Sequence, residues 1–107
     1  MKRNGIIKKF DHDYKYTMYS DRLYNKADQF EQNVTLTLTR LVKEFGCLSV
    51  KVHEGLTLVV FKYDNGCRLA SYCDHKPLGH FDHANIMSAC RKIADYSIDN
   101  DLYYKAA

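Results

Sequence analysis

The stretch from Gly46 to Asp74, GCLSVKVHEGLTLVVFKYDNGCRLASYCD, decides the fold. Leu48, Val50 and Val52 alternate with Ser49, Lys51 and His53, the period of a strand with one buried face. Glu54-Gly55 turns the chain. Leu56 to Tyr63 then carries apolar side chains on both faces, as a middle strand covered at least partly on each side does. Asp64-Asn65-Gly66 signals a second hairpin, because Asn and Gly tolerate positive φ. Cys67 to Cys73 supplies the third strand.

Helical patterns flank this core. Upstream, Leu23, Ala27, Phe30, Val34, Leu38, Leu41 and Phe45 recur at intervals of three and four, which places them on one helical face. Ser20 or Asp21 offers an N-cap and Gly46 an αL C-cap. Val34-Thr35-Leu36-Thr37-Leu38-Thr39 also suits a strand, since its branched residues alternate. One long helix, about 33 Å at 1.5 Å per residue, is the preferred reading, with Asn33 as the place for a break. Downstream, His75 to His80 reads as a loop around Pro77 and Gly79. Asp82 then caps a last helix with Ile86, Cys90, Ile93 and Ala94 on its core face and Met87 and Ile98 beside them. Tyr14 to Tyr19 is a candidate short strand. The expected fold is α+β in two layers. An antiparallel three- or four-stranded meander carries a long N-terminal helix and a C-terminal helix on one face, in αβββα order.

At 107 residues the chain has room for one modest core, so residues 1–107 read as a single domain and 1–13 as a flexible basic arm. A charged fraction of 27% is that of an ordinary globular protein. No apolar run is long enough to span a bilayer, and Gly5-Ile6-Ile7 is too short for a signal peptide's apolar region. A cytoplasmic location follows as the expectation, with Cys47, Cys67, Cys73 and Cys90 as thiols. The net charge of +3 is uneven: Lys2, Arg3, Lys8 and Lys9 precede any acid.

Four residues could hold a metal. Cys73, His75, His80 and His83 supply the thiolate and imidazole groups that zinc prefers, although they form no C-x₂-C or H-x₃-H pair. Three exposed loop histidines and a buried cysteine account for the same pattern. Asp74-His75-Lys76-Pro77 followed by Asn85-Ile86 and Cys90 resembles a fragment of the HNH nuclease signature. That resemblance implies a ββα metal site in which His75 activates water and a divalent ion stabilises the leaving phosphate oxygen. Its last ligand position falls near Ile93 or Ala94, which cannot coordinate, so this reading ranks below the binding ones. No cysteine has an evident activating base, and no cofactor motif occurs.

The helix–three strands–helix order from Leu23 to Ile98 resembles the double-stranded-RNA-binding domain. The resemblance implies contact with A-form RNA through the helices and the first hairpin loop. Here Glu54-Gly55 is a short loop, and His80, Asp82 and His83 stand where that family has lysines. Nucleic-acid binding therefore rests on Lys2, Arg3, Lys8 and Lys9. Among nine tyrosines, Tyr14, Tyr16, Tyr19 and Tyr24 crowd a polar stretch. Rings in such surroundings suit a protein interface, while their bland role is to cover a sheet edge. The leading expectation is a non-enzymatic protein-binding module, of the kind that serves as a stoichiometric inhibitor, as many viral accessory proteins do. The alternatives are a nucleic-acid binder and a metal-dependent nuclease fragment.

Overall fold

The computed structural model of the chain describes residues 3–10 and 20–106, with side chains in the first helix from Lys26 onward. Strand β1 (Arg3–Ile7) precedes helix α1 (Ser20–Phe45). Strands β2 (Cys47–His53), β3 (Leu56–Tyr63), β4 (Gly66–Cys73) and β5 (Lys76–His83) follow, then helix α2 (Ile86–Ala94), a 3-10 turn (Asp95–Ile98) and strand β6 (Leu102–Ala106). The described strands form one six-stranded sheet in the order β1-β6-β2-β3-β4-β5, every neighbouring pair antiparallel.

The α+β class holds, but four strands rather than three separate the two helices. The αβββα order, and with it the helix–three strands–helix match to the double-stranded-RNA-binding domain, gives way to αββββα within a sheet wider than a three- or four-stranded meander. Arg3–Ile7, read as part of a basic arm, pairs along β6 as an edge strand. The register sets Gly5 opposite Tyr104, whose ring lies over the glycine where any Cβ would collide with it. His75 to His80, read as a loop, belongs instead to a tight hairpin and strand β5. Asp74 and His75 both take positive φ (49° and 68°), turning the chain between Cys73 and Lys76. Asp is among the residues that enter this region most readily. Pro77, which argued against a strand, is tolerated because β5 is an edge.

Helix α1 is continuous through Asn33. The ambiguous threonines are absorbed by back-bonding: Thr35 Oγ1 donates to the Glu31 carbonyl (2.9 Å), Thr37 to Asn33 (2.9 Å) and Thr39 to Thr35 (2.7 Å). Val34, Leu38, Leu41 and Val42 form its buried stripe. Gly46, at φ 83°, ends the helix, and its N–H donates to the Val42 carbonyl. Helix α2 is capped by Asn85 rather than Asp82: the Asn85 side-chain oxygen accepts from the Ser88 N–H at 2.8 Å.

Both helices lie on the same face, α1 over β6, β2 and β3, and α2 over β3, β4 and β5. Leu38, Leu48, Val50, Val60, Cys90, Ile93 and Leu102 are fully enclosed between the layers. The Phe10 N–H donates to the Ser97 carbonyl, and its ring meets Phe30 at 5.7 Å, tying the segment after β1 to α1 and the 3-10 turn. No helix among the described residues is long and apolar enough to cross a membrane.

Candidate binding surfaces

Strand alternation divides the sheet's side chains into two sets. On the helix side, one row runs Arg3–Ala106–Leu48–Val60–Leu69–Phe81, and the next Gly5–Tyr104–Val50–Leu58–Ser71–Gly79. On the helix-free side, the rows are Ile6–Tyr103–Lys51–Thr57–Tyr72–Pro77, then Asn4–Lys105–Ser49–Val59–Ala70–His80, then Cys47–Phe61–Arg68–Asp82. The first set is aliphatic along its centre, at Leu48–Val60–Leu69 and Val50–Leu58. The second mixes rings, cations and small polar groups.

The helix layer is incomplete. Helix α2 starts beside β4, where the Cys67 thiol meets the Asn85 carbonyl at 3.6 Å, and the chain reaches the end of β2, where Tyr96 lies 6.0 Å from His53. That diagonal course leaves a wedge open beneath its C-terminal half. The wedge, about 630 Å³, is lined by Leu58, Leu69 and Ser71 on the floor, Phe81 on the outer wall, and Lys92, Asp95 and Tyr96 on the inner one. Phe81 is 75% exposed and Leu78, on the same edge strand, 63%. A phenylalanine of that exposure at the mouth of an apolar groove is the kind of patch that marks an interaction site.

The helix-free face holds a shallower depression of about 240 Å³, floored by Ala70 and Gly79 and walled by Phe61, Tyr63, Arg68, Tyr72, Pro77 and His80. Arg68 lies over the Tyr63 ring at 5.9 Å and donates to Asp82 through Nε (2.8 Å) and Nη2 (3.4 Å). The Arg68 hydrogen bond holds the Asp82 carboxyl below the usual carboxylate range. Among the described residues neither Lys51 nor Lys105 has an ion-pair partner, and both are exposed.

The metal-ligand candidates are not brought together. Cys73 and His75 sit at the β4–β5 turn, His80 lies opposite Ala70 on the helix-free face, and His83 lies opposite Cys67 on the other face. The strand between them holds His83 ~20 Å from the turn. Among the described residues no three His, Cys, Asp or Glu side chains gather to hold a metal ion. The nuclease arrangement fails for the same reason. His75 and Asn85 stand at opposite ends of β5, Asn85 is spent as a helix cap, and Cys90 is buried. Burial pushes the Cys90 thiol up to about 11 and the Cys47 and Cys67 thiols upward too, the reverse of an activated nucleophile. Cys73, expected to be buried beside Leu69, is exposed at its strand end.

Of the basic candidates, Arg3 is an edge-strand residue on the helix side. Lys8 reaches Asp101 at 4.0 Å, and the Lys9 N–H donates to the same carboxylate at 2.6 Å. Lys2, Tyr14, Tyr16 and Tyr19 lie outside the described residues, as does the side chain of Tyr24. Phe81, Leu78 and the aromatic side of the sheet escaped sequence reasoning. A loop over His75 to His80 gives no sign that β5 adds an outer wall to the sheet. No protein-family model, curated protein or solved structure matches this chain.

Proposed function

We propose that this chain is a non-enzymatic protein-binding module that receives an amphipathic helix of a partner in the wedge between α2 and β5. The observation that carries the reading is Phe81, 75% exposed at the wall of a groove whose floor is Leu58 and Leu69. Two features favour a helix over an added strand. The groove continues the existing helix layer, where helices lie 8–10 Å apart. The free edge of β5 has Pro77, which lacks an N–H, and the β4–β5 ladder is irregular at Ser71/Tyr72, so its hydrogen-bonding line is interrupted. Lys92 and, of opposite sign, Asp95 and Asp82 line the groove and supply charges to orient the incoming helix.

A domain that works by occupying a partner's helix suits stoichiometric inhibition. The four free thiols, two of them buried, suit a reducing compartment such as the cytoplasm. Selection of an amphipathic-helix peptide library against the purified chain tests the proposal. Selected peptides should bind the parent and lose at least tenfold affinity, about 1.4 kcal/mol, on Phe81→Asp. Peptides that bind Phe81→Asp as tightly as the parent would place the interface elsewhere.

A further inference from the structure

We propose that the helix-free face of the sheet is a second, independent binding surface, for single-stranded nucleic acid. Three features of the face converge on that ligand. The first is stacking area. Phe61, Tyr63, Tyr72 and Tyr103 all project from it, Tyr63 49% and Tyr103 52% exposed. Unpaired bases stack on such rings whatever their sequence, because every base presents a π-face.

The second is a seat for one ring. Ala70, the small residue one strand in from the β5 edge, lies between Tyr72 and the Phe61–Arg68 pair, leaving the 240 Å³ depression with aromatic walls. Its neighbours His80 and Arg68 offer polar atoms at the rim, within reach of a base edge. The third is charge. Lys105 and Lys51 stand exposed on β6 and β2 with no ion-pair partner among the described residues. Glu54 and Asp74 line a hollow shared with Lys51 at the strand ends, and Asp82 at the opposite edge is occupied by Arg68. The face thus has a basic side and an aromatic side about three strand spacings apart, roughly 14 Å. A short run of nucleotides laid across the strands would meet phosphate-binding lysines at one end and a base seat at the other.

A protein partner fits this face less well. Its aliphatic residues are Ile6 at the edge, Val59 and the small Ala70, interrupted by Ser49, Thr57, Lys51 and Lys105. Sheet-on-sheet association instead buries continuous rows of aliphatic side chains. Duplex nucleic acid fits less well still, since its bases are stacked away from any flat platform.

Fluorescence anisotropy with labelled oligo(dT) and oligo(U) of about twelve nucleotides, on the full chain, tests the proposal and separates DNA from RNA as the source. Binding to at least one should weaken as salt rises from about 50 to 200 mM, with a log–log slope of about −1.4 for two phosphate contacts. Lys51→Glu with Lys105→Glu should weaken binding at least tenfold and flatten that slope. Tyr72→Ala should weaken it at least fivefold with the slope kept. Both lysines are exposed, so the charge-reversed protein should retain the parental urea midpoint and remains a valid test if Tyr72→Ala fails to fold. Phe81→Asp should leave oligonucleotide binding unchanged. Any of three results overturns the proposal: no binding at low salt, equal preference for duplex, or binding that survives the double charge reversal. So does capture of a protein through Lys51 and Tyr72 with no oligonucleotide binding.

Discussion

The two faces of this sheet are drawn from the same strands, residue by alternate residue, and they differ in what they leave unfinished. The helix side is an aliphatic surface that α1 and α2 cover almost completely, so its unfinished part is a gap in a layer, bounded by Phe81 and Tyr96. Among the described residues the helix-free side has no second layer, and its residues are those that tolerate water: rings with polar tips, lysines, Ser49 and Thr57. One face therefore offers a shape for an apolar helix and the other a platform for flat, anionic ligands. Burial explains the division. A row such as Leu48–Val60–Leu69 is worth its apolar area only when covered, whereas Lys51–Thr57–Tyr72 costs little to leave exposed.

The comparison breaks most readily at the core. Leu48→Ala or Ile93→Ala should cost about 2–5 kcal/mol, read as a fall in the urea midpoint, because both side chains are fully enclosed. Val59→Ala on the opposite face of the same sheet should cost under about 1 kcal/mol. Equal losses would mean that the helix-free face is covered in solution. Gly66→Ala comes next, at about 1–3 kcal/mol. Its φ of 138° disfavours any side chain, and a Cβ there would strike the His83 carbonyl on β5. That variant should loosen the outer wall of the wedge and leave β6 and β2 intact, a pattern hydrogen exchange can resolve.

A smaller effect, on the order of 1 kcal/mol, comes from the helix layer itself. A hydrogen bond to Asp95 raises the Glu31 carboxyl to about 7, with burial and the Asp95 charge adding to the shift, Arg91 opposing it and Asp28 reinforcing it. An acid whose folded value lies above its ordinary 4.5 stabilises the fold while protonated. Stability should therefore fall as pH rises from about 4.5 to 7 and level off above that. Glu31→Gln should flatten the slope and raise the midpoint at pH 8. An unchanged pH profile would show that the two carboxyls do not meet. The smallest effect on stability is expected for Asp82→Asn, an exposed position whose loss should leave the urea midpoint in place. It should nonetheless tighten oligonucleotide binding, since it removes an acid from the face and releases Arg68.

Much of the helix side was legible in the sequence. The period of Leu48-Val50-Val52 and the cap at Gly46 each have one physical reading, and the structure realises both; across Val34–Thr39, which also suits a strand, it realises the helix. Legibility failed where tertiary pairing overrode local signals. Residues Arg3–Ile7 are too polar and too short to declare a strand, and they become one because β6 offers a free edge and Tyr104 fits over Gly5. Pro77 and Gly79 imitate a loop unless the strand is known to lie at an edge. The two surfaces were illegible for a related reason. Their residues are scattered from Ile6 to Lys105 and come together only through the sheet order, which no interval in the sequence encodes. The tyrosine and basic clusters stand out in the sequence only because their residues are contiguous.

The most direct test of the division between the faces is nuclear magnetic resonance of side-chain aromatic and methyl signals during titration with oligo(U) or oligo(dT). Shifts should concentrate on Phe61, Tyr72, Tyr103 and Val59, leaving Phe81, Tyr96 and Leu69 unmoved. Shifts centred on Phe81 and Tyr96, or on the segment around Lys8 and Lys9 with the helix-free face silent, would contradict the account.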